Sequence, residues 1–431
     1  MKDKGSLNLI REINTSIILD VLKEKAPLSK YDISKITGLS APTVSNIISD
    51  LIKVGFVKET GMGESIGGRP PLLLDLNLEG GFIIGIDVGS DDIRAIVADF
   101  LGNIITKTEI QVTPGDSEFI IFDKITLAIS DVIKKSKKDM SLFFGMGIGI
   151  AGEVDSHNGI IKHASRLKWS NVPLKSIIEN SFHIPTYVDE NVKLLTLAEQ
   201  WHGSGSNYDN IVCIRVGDDI GAGIIIDGKL FSGSHDRAGV NIGHLIVKTD
   251  GPKCECGNSG CLQSLISSNA IILRTEEMLR NYKNSTCINY VNLDSTNSKE
   301  TANTGISLLE EYLRKQNKLS VEAIAKLAKE GDNISIQVMD EIGKYLAIAI
   351  SNIANCLDPD VIIIGGGIAE AGEVLFAPLY KYLVTTIEFT NPLLKVVKSE
   401  LGVNAFAMGA ATAVLHQIFQ SPGKFIEDKI R

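Results

Sequence analysis

The 431-residue chain contains no apolar run near the ~18 residues that a membrane-crossing helix requires. The apolar runs in FIIGIDVG and VIIIGGG are short and bounded by glycine, so they read as buried strands. Nor is there an excess of positive charge. A formal net charge of −9 argues against a protein that coats nucleic acid non-specifically, while leaving room for a small DNA-reading module. No secretory leader is recognisable, so the expected setting is a reducing bacterial cytoplasm in which disulfides do not form. The remaining composition is that of a globular protein long enough for two or three domains. Its acidity is uneven. Residues 1–76 carry 10 Lys/Arg against 9 Asp/Glu, and the rest carry 33 against 43, so only the N-terminal segment is permissive for phosphate contact.

Cysteine is scarce, yet His244, Cys254, Cys256 and Cys261 fall together in GHLIVKTDGPKCECGNSGC. Three thiols and one imidazole are the soft donor set of a closed, structural tetrahedral zinc site. Gly257 and Gly260 let the backbone turn tightly enough for Cys256 and Cys261 to face one ion. The competing readings are disulfides, disfavoured by the expected compartment, and unpaired thiols.

The N-terminal segment has the punctuation of a helix-turn-helix. Residues 6–25 are helical in period, with Leu9, Ile13, Ile17, Ile18 and Leu22 expected near one face. Pro27 ends that helix, a short helix follows from Lys30 to Thr37, and Gly38 turns the chain. Ser40 caps a third helix, Ala41–Val54, with Pro42 in its first turn. That helix buries Val44, Ile47, Ile48 and Leu51, and shows Thr43, Ser45, Asn46, Ser49, Asp50 and Lys53. Its N-terminal part is expected in the major groove of duplex DNA. Thr43 and Asn46 are the candidates for base edges, because an Asn amide can bond adenine twice. Ser45 and Lys53 are candidates for phosphates. A hairpin through GMGESIGGRPPLLLDL forms a wing, whose glycine-rich tip carries Arg69 into a narrow minor groove or serves as an interdomain linker. A three-helix scaffold for a protein partner is the plainer alternative.

The string CECGNSGC resembles the CxCGxxGC signature of the ROK family of sugar kinases and sugar-responsive repressors. Further stretches share the resemblance, which runs from the first helix to about Leu415. IIGIDVGSDD, with Asp87, Gly89 and Ser90, looks like the first phosphate loop of actin-like sugar kinases. MGIGIAGEVDSHNGIIKHASRLKW and VDENVKLLTLAE resemble the segments around the sugar pocket. DPDVIIIGGGIAEAG, with Gly365, Gly366 and Gly367, resembles the adenosine motif. The resemblance implies a winged helix-turn-helix over residues 1–77. It implies a two-lobed, actin-like α/β body over 78–431, with a zinc loop at 244–261 and a helical, polar insertion near 281–325. Strand–helix alternation after residue 82 agrees with that independently.

Two departures from the kinase pattern imply a regulator and not an enzyme. The aligned catalytic Asp is Asn191, and an amide cannot accept the proton of an attacking hydroxyl near pH 7. A one-residue shift would bring Asp189 or Glu190 into play. In the second phosphate loop, Asp218 and Asp219 stand where kinases carry Thr and Gly, and like charge disfavours a triphosphate. The sugar-binding positions of the family match Arg166, Glu190, Asn191, Asn241, His244 and Gln263, of which His244 alone keeps its type. The rest stay polar and able to bond hydroxyls. Arg166 there would favour an acidic or phosphorylated sugar. The resemblance implies an operator DNA, a sugar effector and a homodimer as partners.

Overall fold

The structure is a computed structural model that describes residues 7–63, 70–113, 115–234, 239, 241–291, 308–316, 318–387, 391–423 and 425. The expected winged helix-turn-helix and α/β body are both present. The chain divides into two compact units, the first comprising residues 1–202 with 401–431, the winged helix included, and the second residues 203–400.

The winged helix runs α1 (Leu7–Lys25), β1 (Leu28–Ser29), α2 (Lys30–Thr37), α3 (Ala41–Lys53), β2 (Val57–Met62) and β3 (Leu72–Leu76). Its strands form an antiparallel sheet in the order β1-β3-β2. Local chemistry sets the helix ends. Ser29 and Asp32 close a reciprocal capping box at the start of α2, and Gly38 ends it in the left-handed conformation. The Ser40 hydroxyl accepts from the Thr43 amide at the start of α3. Val44, Ile47, Ile48 and Leu51 are buried, as their spacing predicts, and α3 stops at Lys53 with Val54 as its cap.

One expectation about α1 is corrected. Ile18, Leu19 and Leu22 are buried, but Leu9, Ile13 and Ile17 are exposed. At about 100° per residue, positions nine and five residues before Ile18 lie on or near the opposite side of the helix. The buried stripe is Thr15, Ile18, Leu19 and Leu22, spaced by three, four and seven.

The rest of the first unit is built on a five-stranded sheet. It comprises β4 (Phe82–Val88), β5 (Asp92–Ala98), β6 (Ile104–Gln111), α4 (Glu118–Ser136), β7 (Phe143–Ile150), a small sheet of β8 (Glu153–Asp155), β9 (Ile160–Ala164) and β10 (Trp169–Val172), then α5 (Leu174–Phe182), β11 (Thr186–Glu190) and α6 (Asn191–His202). The sheet order is β11-β7-β4-β5-β6, with β11, β7 and β4 parallel and β5 and β6 antiparallel. One face packs on α4 and the small sheet, through Ile84, Ile125, Met146 and Trp169. The other face receives the C-terminal helix, Ala405–Gln420. Glycine makes that approach possible: a Cβ at Gly147 would lie 1.9 Å from the Ala410 carbonyl oxygen.

The winged helix shares this second core. Ile18, Leu22, Ile48, Leu51 and Phe56 join Ile83, Ile96, Phe100, Phe144, Ala411 and Leu415 in one continuous cluster. The Phe56 ring lies 4.9 Å from both Phe100 and Phe144. The Lys23 ammonium sits 3.1 Å from the centroid of Trp201, at the end of α6. Burial lowers Lys23 to about 8, and burial together with the Lys23 charge holds His202 down at about 4.

The second unit holds β12 (Ile211–Val216), β13 (Ile220–Ile226), β14 (Lys229–Leu230), α7 (Leu262–Ile266), α8 (Ser268–Val291), α9 (Leu308–Gln316), α10 (Val321–Lys329), α11 (Asn333–Leu357), β15 (Val361–Gly365), α12 (Glu373–Ile387) and β16 (Lys395–Lys398). Its sheet order is β14-β13-β12-β15-β16, with α7, α8, α10, α11 and α12 supplying a single core. The insertion expected near 281–325 is helical at both ends, in α8 and α9, and residues 292–307 lie outside the described ones.

Candidate functional site

The DNA-facing candidates gather on α3. Asn46 and Lys53 are exposed, Thr43 and Ser45 half-buried, and Ser40 exposed at the cap. Thr43 and Ser40 share a hydroxyl–hydroxyl contact of 2.8 Å, so part of the Thr43 hydroxyl's capacity is engaged locally. Ser45 accepts from the Lys30 ammonium at 3.2 Å, which brings a second cation beside the phosphate-contact candidate. Arg69 lies outside the described residues.

The effector candidates divide between the units. In the first, Arg166 is exposed in the turn joining β9 to β10. Glu190 is buried at the end of β11, and its Oε2 accepts from the Val192 and Lys193 amides, capping α6. Asn191 opens α6, is buried, and its Oδ1 has no hydrogen-bond partner among the described residues. A buried carbonyl left unpaired in this way has the capacity to accept from a hydroxyl. Sequence reasoning missed what surrounds it. Asp189 accepts from the Tyr187 hydroxyl at 2.6 Å and pairs with the fully buried Lys193 at 3.4 Å. The helical (i, i+4) rule gives no signal for this pair, because Asp189 lies in β11 and Lys193 in α6.

In the second unit, Asn241 precedes the short 3₁₀ turn Ile242–His244. Gln263 ties the cysteine loop to β13: its Nε2 donates to Glu255 at 2.8 Å, and its Oε1 accepts from the Ile220 amide at 3.5 Å. Asp218 and Asp219 lie in the β12–β13 turn, where Asp219 approaches Arg215 at 3.9 Å. Gly366 is required twice over: its φ is 94°, and a Cβ there would lie 2.5 Å from the Val216 carbonyl oxygen.

His244, Cys254, Cys256 and Cys261 converge, with one donor atom from each lying within 4.8 Å of the others. Cys254 Sγ is 3.5 Å from His244 Nδ1, and Cys256 Sγ is 3.6 Å from Cys261 Sγ. Zinc with bonds of about 2.3 Å to sulfur and about 2.0 Å to nitrogen has tetrahedral edges of roughly 3.5–3.8 Å. The donors therefore fit such an ion, and the three cysteines are free thiols. Gly260 makes the fold of the loop possible: its φ is 71°, and a Cβ would fall 1.5 Å from the Lys248 carbonyl oxygen.

A winged helix with an exposed polar third helix, joined to a sugar-kinase-like body with a Cys₃His cluster, defines the class. Residues 13–58 match the winged helix-turn-helix DNA-binding family, and residues 83–417 match the ROK family. The chain belongs to the ROK family. It is 30% identical over 421 residues to the xylose repressor of Caldicellulosiruptor bescii, covering 97% of this chain and 99% of that protein. It is also 30% identical to a glucokinase of Halalkalibacterium halodurans, over 300 residues that cover 69% of this chain and 84% of the glucokinase. The crystal structure of a ROK family transcriptional regulator, described as a homologue of the E. coli MLC protein, superposes with a TM-score of 0.82. That structure shares 24% identity and is matched over 97% of this chain and 99% of its own.

Proposed function

We propose that this protein is a sugar-responsive DNA-binding repressor of carbohydrate-use genes, acting in the cytoplasm and without kinase activity. The observation that carries the reading is the continuous hydrophobic core joining α1, α3 and Phe56 of the winged helix to the sheet that ends at Glu190. A DNA-reading helix built on the same core as an effector-contacting strand end responds when that strand end is rearranged. The effector must bind two states with different affinity for the equilibrium to shift. The full-length match to a protein named xylose repressor supports the same reading.

Absence of phosphoryl transfer rests on the carboxylates. Asn191 is no base, Asp189 is paired with Lys193, and Glu190 caps α6, so each acid near the aligned position is already engaged. Sugar contact is assigned to Arg166, Glu190, Asn191, Asn241, His244 and Gln263. Base and phosphate contact is assigned to Ser40, Thr43, Ser45, Asn46, Lys53 and Arg69, in a homodimer reading two half-sites. His244, Cys254, Cys256 and Cys261 would hold a structural zinc ion, which would lock the His244 turn against its own loop.

The test is binding to the promoter region beside the protein's own gene, read by anisotropy, with and without xylose and a panel of neutral, acidic and phosphorylated sugars. Release by one sugar with no ATP turnover is the expected outcome. Sugar-dependent ATP turnover would overturn the non-enzymatic reading, and binding indifferent to every sugar would overturn the effector reading. Cys256→Ala is expected to lower zinc content and sugar response together, measured by metal analysis and the same anisotropy assay.

A further inference from the structure

Between α1 and α3 lies a concavity of about 490 Å³, lined by Arg11 and Asn14 from α1 and by Thr43, Asn46, Asp50 and Lys53 from α3. The α3 residues include both base-edge candidates, so α1 borders the face assigned to DNA. Within the concavity the Arg11 guanidinium pairs through Nη2 with Asp50, whose other oxygen meets the Lys53 ammonium at 3.5 Å. The Arg11 side chain is 62% exposed, and exposed pairs contribute only about 0–1 kcal/mol. Stability is therefore a poor explanation for the arrangement.

Charge offers a better one. An acid on a helix that approaches phosphates is repelled unless it is neutralised. Here two cations surround one carboxylate, leaving a net positive charge on that flank. A guanidinium has five N–H donors, and beyond Asp50 the described residues offer no side-chain acceptor to Arg11. A helix lying in the major groove is flanked by two sugar–phosphate strands, so an exposed cation projecting beside it is within reach of a phosphate.

We propose that Arg11, assisted by Asn14, is a phosphate-contacting residue of the DNA interface, and that Asp50 holds it in place. The inference rests on the DNA-binding reading above. It adds α1 to an interface otherwise assigned to α3 and the wing.

The experiment measures binding of the full chain to a duplex from its own promoter and to a scrambled duplex of equal length, across a salt series. Arg11→Ala should weaken both by about tenfold and lower the magnitude of the salt slope by about one, the signature of a lost phosphate contact. Arg11→Lys should keep the slope. In Arg11→Ala/Asp50→Asn, a slope still reduced by one supports the contact, whereas full return to wild-type slope and affinity means that Arg11 only neutralises Asp50, and overturns it. Unchanged promoter binding by Arg11→Ala, with a wild-type melting curve, overturns the inference alone. Wild-type protein that ignores the promoter duplex overturns the regulatory reading and this inference with it.

Discussion

The two sides of the winged helix meet opposite demands. Its body-facing side is apolar and continuous with the sheet: Ile18, Leu22, Leu51 and Phe56 are each at most 2% exposed. The side proposed to face DNA, from Ser40 to Lys53, is hydroxyls, an amide and a charge cluster around Asp50. The difference teaches that the DNA-reading module is not a bead on a tether. Tertiary burial holds it against the body. Even the polar contact on the body-facing side, Lys23 over Trp201, ties α1 to the far end of the helix that begins at Asn191.

That contrast can be broken most severely at Phe56. Phe56→Ala removes a ring packed on Phe100 and Phe144 and should lower unfolding free energy by about 3–5 kcal/mol, with loss of DNA binding as a consequence. Urea titration followed by anisotropy checks both. Acid should act next, through His202. The unfolded chain protonates this group near its ordinary 6.5, the folded chain only near 4, so the unfolded state binds more protons in that window. Stability should fall by roughly 2 kcal/mol as pH drops from 6.5 towards 4, after allowance for partial exposure. His202→Asn should flatten that part of the pH–stability curve. Asn46→Ala sharpens the comparison from the other side. It should cost about 1–3 kcal/mol in promoter affinity, relax specificity, and leave the melting curve unchanged. Ser40→Ala should have the smallest effect, about 1 kcal/mol of stability from the lost α3 cap, seen as a small shift in urea midpoint.

Legibility followed the range of the interactions. The limits of α2, the Ser40 cap and the buried face of α3 were readable because caps, turns and 3.6-residue periodicity act within a few residues. The Cys₃His cluster was readable for the same reason, its ligands falling within one loop. The face of α1 was not: apolar residues surround that helix, and its packing partners decide which of them are buried. The engagement of Asp189 and Glu190 was equally hidden, since a carboxylate in a sequence does not declare whether it is base, cap or ion-pair partner.

What the sequence determined by itself was the inventory: a capped helix-turn-helix, strands punctuated by glycine, and a soft-donor loop. What only the tertiary structure decided was which surfaces became one. The seam of Ile18, Phe56, Phe144 and Leu415 joins residues hundreds of positions apart. Hydrophobic burial is non-directional, and periodicity marks a buried face without naming its partner, so contacts of that range appear only once the chain has packed.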